Sequence, residues 1–161
     1  MTAARHSRWV IWVTLLIGAM LAVMSLPDSL AYFRPAWVVL ITMFWMLAQP
    51  EDCGLLFAWI NGILLDVLYG TVLGQHAMAM VFVALAVAQF QRRLRMSVWW
   101  QQSVIVLLIV SFYQIVILWI GSATGRLHPD FVYLLPAVTS AIVWPWLVAF
   151  LHAVRRRTSV I

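Results

Sequence analysis

The run Val104-Ile105-Val106-Leu107-Leu108-Ile109-Val110 decides the fold. Every position in it is apolar, so it cannot be a strand of a membrane barrel, where lipid-facing and lumen-facing residues alternate. It lies inside a longer stretch, Val98 to Ile120, that carries no charged residue. A bilayer core is roughly 30 Å thick, and a helix crosses it with about 20 mostly apolar residues. Backbone polar groups in lipid must bond internally, which leaves only helices once the barrel is excluded. The same reading extends over the rest of the chain. Hydrophobic residues make up 65% and charged residues 9% of 161, and the mean hydropathy is +0.99. A water-soluble fold of this size needs a charged surface that the sequence does not contain. The expectation is an all-α, polytopic membrane protein forming one integral membrane domain over residues 1–161.

Six transmembrane helices are predicted, at about 9–26, 31–49, 54–69, 72–90, 98–120 and 131–151. Turn formers or charges separate them at Pro27/Asp28, Pro50-Glu51-Asp52, Gly70, Arg92–Arg95 and Gly121 to Pro129. The first stretch follows arginines, as a signal peptide would. No small-residue cleavage site follows it, so it reads as a span. The second contains Arg34 and Pro35 near its start. It reaches across only if Arg34 snorkels outward and Pro35 occupies the first helical turn.

All ten cations are arginine, and they fix the orientation. With six spans, Arg5, Arg8, Arg92, Arg93, Arg95, Arg155, Arg156 and Arg157 share one side, and Arg34 and Arg126 the other. Eight against two places both termini in the cytoplasm. Arg155–Arg157 are expected in a tail beyond the last helical turn. Trp9, Trp12, Trp99, Trp100 and Trp146 then mark the cytoplasmic interface, and Trp37 and Trp119 the outer one. Arginines clustered beside spans are a juxtamembrane pattern, which argues against nucleic acid as a partner.

Chemistry has few places to reside. Asp66 is the acid set inside a span, and spacing by four puts Ala58, Gly62, Asp66 and Gly70 on one helical face. Small residues there admit a second helix closely and turn the acid into the bundle. Arg34, Gln75 and His76 are expected at similar outer depth. A polar site or relay is one reading; a satisfied structural contact is the stronger one. Gly70 and Gly74 bracket a tight helical hairpin. Asn61 and Gln114 lie mid-span at matching depth and can bond across helices. Trp144-Pro145-Trp146, with Pro136 before it, should kink the last span, either as a groove for lipid or a partner or as a plain packing kink. One cysteine, Cys53, excludes an internal disulfide, and four scattered histidines exclude a metal cluster. No phosphate-binding glycine loop, serine-nucleophile elbow or zinc-helix motif is present. No catalytic, cofactor-binding or metal residue is therefore assigned.

Several strings occur together in order: Trp9-Val10-Ile11-Trp12, Pro27-Asp28, Phe33-Arg34-Pro35-Ala36-Trp37-Val38, Gly62-Ile63-Leu64-Leu65-Asp66, Gly70, Leu73-Gly74, Trp100-Gln101-Gln102 and Trp144-Pro145-Trp146-Leu147. In this order, from about Arg8 to Arg155, the chain resembles the bacterial rod shape-determining protein MreD family, in its proteobacterial form. The resemblance implies a multi-pass protein of the bacterial cytoplasmic (inner) membrane, part of the machinery that elongates rod-shaped cells. It implies partnership with the coiled-coil protein MreC, the actin-like MreB, and a glycan polymerase with its transpeptidase. It implies a fold similar to the substrate-binding membrane subunits of energy-coupling-factor transporters. No catalytic residue comes with it. Its arginine-proline and glycine-aspartate strings fall on Arg34, Pro35, Gly62, Asp66, Gly70 and Gly74.

Two functions from different classes follow. One is a non-enzymatic scaffold or regulator supporting rod shape and lateral peptidoglycan synthesis with MreC. The other is the substrate-binding membrane subunit of a small-molecule transporter, working around Asp66. The transporter needs a roomy, outward-opening cavity with convergent polar groups. The scaffold needs filled small-residue faces and an apolar flank left free. An enzyme acting on a lipid-linked substrate has least support, because no nucleophile and base stand together. The orientation is tested by reporter fusion. A reporter active only in the periplasm should be silent at the carboxyl terminus and active when inserted after Arg126, and activity at the carboxyl terminus would overturn it.

Overall fold

The computed structural model describes residues 3–24, 27, 32–125 and 131–158. Among these, all regular structure is helical. In chain order the helices are α1 (Ala3–Val23), α2 (Trp37–Ala48), α3 (Leu55–Tyr69), α4 (Gln75–Met96), α5 (Trp99–Ala123) and α6 (Leu135–Thr158), with one 3-10 turn at Phe131–Leu134 before α6. Asp28, Arg126 and His128 lie outside the described residues, as do the side chains of Arg5, His6 and Arg8.

Three stretches are long and apolar enough to cross a membrane, namely α4, α5 and Val132–Arg157. Trp9–Val23, α2 and α3 are apolar but shorter. Several expected boundaries move. Both α4 and α6 run past their expected ends and take Arg92, Arg93 and Arg95, and Arg155 to Arg157, into helix. Arg93, Arg95 and Arg155 to Arg157 therefore sit in last turns, where cations meet the partial negative charge of the helix end, and Arg155 to Arg157 are helical rather than in a tail.

α2 departs most from expectation. Its twelve residues reach only about 18 Å at 1.5 Å per residue. Pro35 stands before the helix and outside its first turn, in a non-helical stretch, residues 34–36, that is held from both sides. Ala36 N–H donates to the buried Ser140 Oγ on α6 at 2.9 Å. Arg34 does not snorkel outward either: its guanidinium donates to the carbonyl oxygens of Ala22 and Met24 at the end of α1. Non-helical backbone at membrane depth is tolerated where protein surrounds it and its polar groups are bonded.

α2 is also the centre of the bundle. Val38 to Met46 are buried in unbroken succession, as expected of a helix apolar on every face. It packs on α1, α4, α6 and α3. Trp45 on α2, fully buried, donates through Nε1 to Thr14 Oγ1 on α1 at 2.9 Å. Thr14 in turn donates back to its own helix, at 2.8 Å from Val10 O. A buried indole thus keeps its polar edge satisfied without a charge.

The most extensive interface joins α3 to α4. Ala58, Gly62 and Asp66 face inward as the spacing predicts, whereas Gly70 has left that face to end the helix at φ +61°. At Gly62 the two backbones meet. A β-carbon there would fall on Ala77 Cα and lie 2.8 Å from both Ala77 N and His76 O. Backbone atoms cannot step aside, so the helices must separate. Gly62→Ala should cost about 3 kcal/mol or more. Gly18→Ala, which meets only the flexible end of Ile41, should cost less. Thermal unfolding in detergent ranks the two, and a Gly62→Ala protein as stable as Gly18→Ala would contradict this packing.

Candidate functional site

Asp66 sits in the last turn of α3 and is 1% exposed. The chain then reverses through Gly70 and Gly74, both at positive φ, +61° and +102°, which glycine adopts without the β-carbon penalty. Thr71 N–H returns to Asp66 O at 3.1 Å and closes the end of α3. This reversal lays the first turn of α4 directly over the Asp66 carboxylate.

The carboxylate is saturated. Oδ2 accepts from Gly74 N–H at 2.8 Å and Ala77 N–H at 3.3 Å. Oδ1 accepts from His76 N–H at 2.8 Å and from the Thr71 hydroxyl at 2.9 Å. His76 Nδ1 approaches the same oxygen at 3.0 Å. An ionised carboxylate only accepts, so this nitrogen carries its proton. Asp66 is therefore an N-terminal cap for α4, contributed by the preceding helix. Its charge meets three free N–H groups and the positive end of the helix dipole.

Arg34 is its counterpart at the opposite kind of helix end. α1 has no basic residue in its last turn. Arg34 supplies one from outside, bonding the terminal carbonyls where a cation is favoured. The two intramembrane charges are not an ion pair; each serves a helix terminus. Gln75 turns away from Asp66 and donates to Ile117 O on α5 at 3.1 Å.

Arg34, Pro35 and His76, with Tyr69, Tyr113 and Gln114, line a cleft of about 200 Å³ at this end of the bundle. The polar residues expected at similar depth do converge there, around a small space. Asn61 and Gln114 do not pair. Asn61 donates to Phe57 O of its own helix at 2.9 Å, because Gly62 brings α4 rather than α5 against that face.

At the other end, the two indoles flanking Pro145 part company. Pro145 lies inside α6, while Pro136 falls in its first turn, where proline is tolerated. Trp144 is 1% exposed and Trp146 is 78% exposed. Trp144 Nε1 donates to Gln102 Oε1 at 3.3 Å. Gln102 Nε2 donates to Leu94 O and Ser97 O, at 2.9 and 3.1 Å. One glutamine thus ties α4, the turn after it and α6 together. Trp146 instead faces a shallow groove of about 490 Å³ with Trp99 and Trp100. Sequence reading passed over Thr71, Gln102 and Ser140 as chemistry-bearing positions. The available signal was an uncharged polar side chain within an apolar span or beside a glycine turn.

Reactive groups are scarce. Cys53 is buried in the turn between α2 and α3. Burial first, then the nearby Asp52 charge, push its thiol up to about 11, which keeps it protonated and unreactive. Among the described residues no three His, Cys, Asp or Glu side chains group to hold a metal.

A helical bundle of apolar spans, with its buried charges spent on helix ends, is the architecture of a small multi-pass membrane protein. The family model for the rod shape-determining protein MreD matches residues 4–154. The rod shape-determining protein MreD of Haemophilus influenzae is 30% identical over 154 residues, covering 91% of this chain and 93% of its own length. The chain belongs to the MreD family. No solved structure matches it.

Capping makes the Asp66 variants separable. Asp66→Asn keeps one acceptor oxygen but turns an NH2 group toward backbone donors; Asp66→Leu strands all of them, at about 1–3 kcal/mol for each unsatisfied group. Asn should therefore be the milder change, in thermal stability and in restoring rod shape to a deletion strain. Equal, complete loss of shape at undiminished protein level would indicate a proton carrier instead of a cap.

Proposed function

We propose that this protein is a non-enzymatic scaffold or regulator of the cell-elongation complex. It sits as a single six-span domain in the bacterial inner membrane, both termini in the cytoplasm. It binds MreC by packing within the membrane, and through that contact supports lateral peptidoglycan synthesis by the polymerase and transpeptidase, alongside MreB. Arg34, Pro35, Gly62, Asp66, Gly70, Gly74 and His76 maintain its outer end, and Trp144, Pro145 and Trp146 its inner end.

The observation that carries this reading is how the volume is distributed. The interior is filled to backbone contact at Gly62, and the outer cleft of about 200 Å³ falls short of the ~300–1,000 Å³ typical of ligand sites. That speaks against a transport subunit, whose cavity must open outward with room for a substrate. The outside, by contrast, is generous. Leu16, Ile17 and Met20 of α1, Met24 just after it and Leu68 of α3 line an almost wholly apolar groove of about 560 Å³. Such a surface suits another helix. The saturation of Asp66 by caps also supports a role in holding shape over one in transfer chemistry.

Co-purification of MreC separates an intramembrane contact from a cytoplasmic one. Gly62→Leu pushes α3 from α4 and should lose MreC, while leaving the topology intact. Replacing Arg155, Arg156 and Arg157 together by Gln should weaken lipid contact, at about 1 kcal/mol for each charge near the surface, yet retain MreC. The reverse pattern, with rods supported by Gly62→Leu, would place the scaffold surface on the cytoplasmic side.

A further inference from the structure

The last turn of α4 and the first turns of α5 leave two grooves side by side. One, of about 430 Å³, is lined by Arg93, Ser97, Trp100, Gln101, Val104 and Ile105. The other is the groove of about 490 Å³ that Trp146 faces. Trp100 and Val104 border both. Four residues apart on α5, they stand one above the other on one face and form the ridge between the grooves. The ridge is open to its surroundings, with Trp100 54% and Val104 49% exposed.

Both grooves change chemistry in the same direction. The first begins at the Arg93 guanidinium and the Gln101 amide and ends on Val104 and Ile105. The second begins among the indoles of Trp99, Trp100 and Trp146 and ends on Leu107 and Val138, about 12 Å further along each helix at 1.5 Å per residue. Cation, then indole, then aliphatic side chain matches the order in which a phospholipid presents phosphate, glycerol and acyl chain. Arg93 is exposed, and among the described residues its guanidinium has no hydrogen-bond or ion-pair partner. The turn after α4 is held by its backbone carbonyl, which accepts from Ser97. Its five N–H donors, in a planar fork, are therefore left for phosphate oxygens. Among the described residues no acid lines either groove. The apolar groove beside α1 has no cation at its end, so its lining does not distinguish a lipid from a helix. Here the charge at one end does.

We propose that the Trp100–Val104 ridge is the binding site of one anionic phospholipid, its phosphodiester on Arg93 and Gln101 and its two acyl chains lying in the two grooves. The site is independent of the contact with MreC. It depends on the orientation given above only for naming the leaflet; binding in detergent is indifferent to orientation, so the reporter fusions can fail without touching it.

The test is native mass spectrometry of the full chain in detergent, titrated with phosphatidylglycerol, its single-chain lyso form or phosphatidylcholine. One phosphatidylglycerol should be retained per chain. The lyso form, which leaves one groove empty, and phosphatidylcholine, whose ammonium Arg93 disfavours, should each be held several-fold more weakly. Arg93→Gln should lower retention of phosphatidylglycerol about fivefold. Arg92→Gln removes the same charge from outside both grooves and should change retention far less. Trp100→Ala, which flattens the ridge, should also lower it, whereas Trp119→Ala, another exposed indole of α5, should not. The four altered residues are all exposed, and unfolding temperatures measured without lipid should be unaltered. Undiminished retention by Arg93→Gln or Trp100→Ala, equal loss in Arg92→Gln or Trp119→Ala, or equal holding of the lyso lipid or phosphatidylcholine would each overturn the proposal. Displacement of the lipid by millimolar inorganic phosphate would overturn the lipid assignment in favour of a soluble phosphate ligand.

Discussion

A helix end inside a membrane has no water to turn to, and this constraint organises the bundle. The first N–H groups and the last C=O groups of every helix lack partners within it, and in hydrocarbon each unsatisfied group costs several kcal/mol. The chain spends its intramembrane charges on this problem. Asp66 closes the start of α4 and Arg34 the end of α1. Asp66 is buried and Arg34 half-buried, and each is bonded to peptide groups at a helix end, which avoids the cost of bringing two ions together in a low-dielectric interior. The position of the cleft lined by Arg34 and His76, the tight reversal at Gly70 to Gly74 and the contact of α3 with α4 all follow from those two caps.

The shortness of α2 is the second organising fact. A wholly apolar helix can be central only if other helices surround it, and α1, α3, α4 and α6 do so. Its ends then fall inside the bundle rather than at the membrane surface. Before its first residue the non-helical segment 34–36 fills the difference, bonded through Ser140. After its last residue, among the described residues, a cleft remains. Gln102 performs the comparable task for α4, accepting from the Trp144 indole while bonding the carbonyls at the helix end.

Much of this was legible in the chain. The unbroken run Val104–Val110 gave the class, the small-residue spacing through Ala58, Gly62 and Asp66 gave the close-packed face, and Gly70 with Gly74 gave the reversal. What was not legible depended on contacts distant in sequence. Pro35 reads locally as a first-turn proline; that the helix begins two residues later is set by Ser140, 104 positions beyond Ala36. Arg34 reads as an interfacial cation because the carbonyls it serves belong to another helix. Asn61 and Gln114 share a depth, but depth says nothing about which way each helix is rotated. Asp66 reads as the inward acid and His76, expected at its depth, does bond it, whereas the backbone N–H groups that complete its shell leave no trace in a list of side chains.

The Asp66 cap has a consequence for how the protein is made. Its donors lie eight, ten and eleven residues downstream, so the cap can close as soon as the chain emerging from the ribosome has passed Ala77. From then on α3 and the first turn of α4 present no bare amide at their junction. The pair can leave the translocation channel for lipid as a preassembled hairpin, before α5 or α6 has been synthesised. Arg34 works on the same principle but backwards along the chain, sealing α1 once the following segment arrives. Each cap closes over a short stretch of nascent chain, so the order of synthesis is also an order in which helix ends become safe to release into the bilayer.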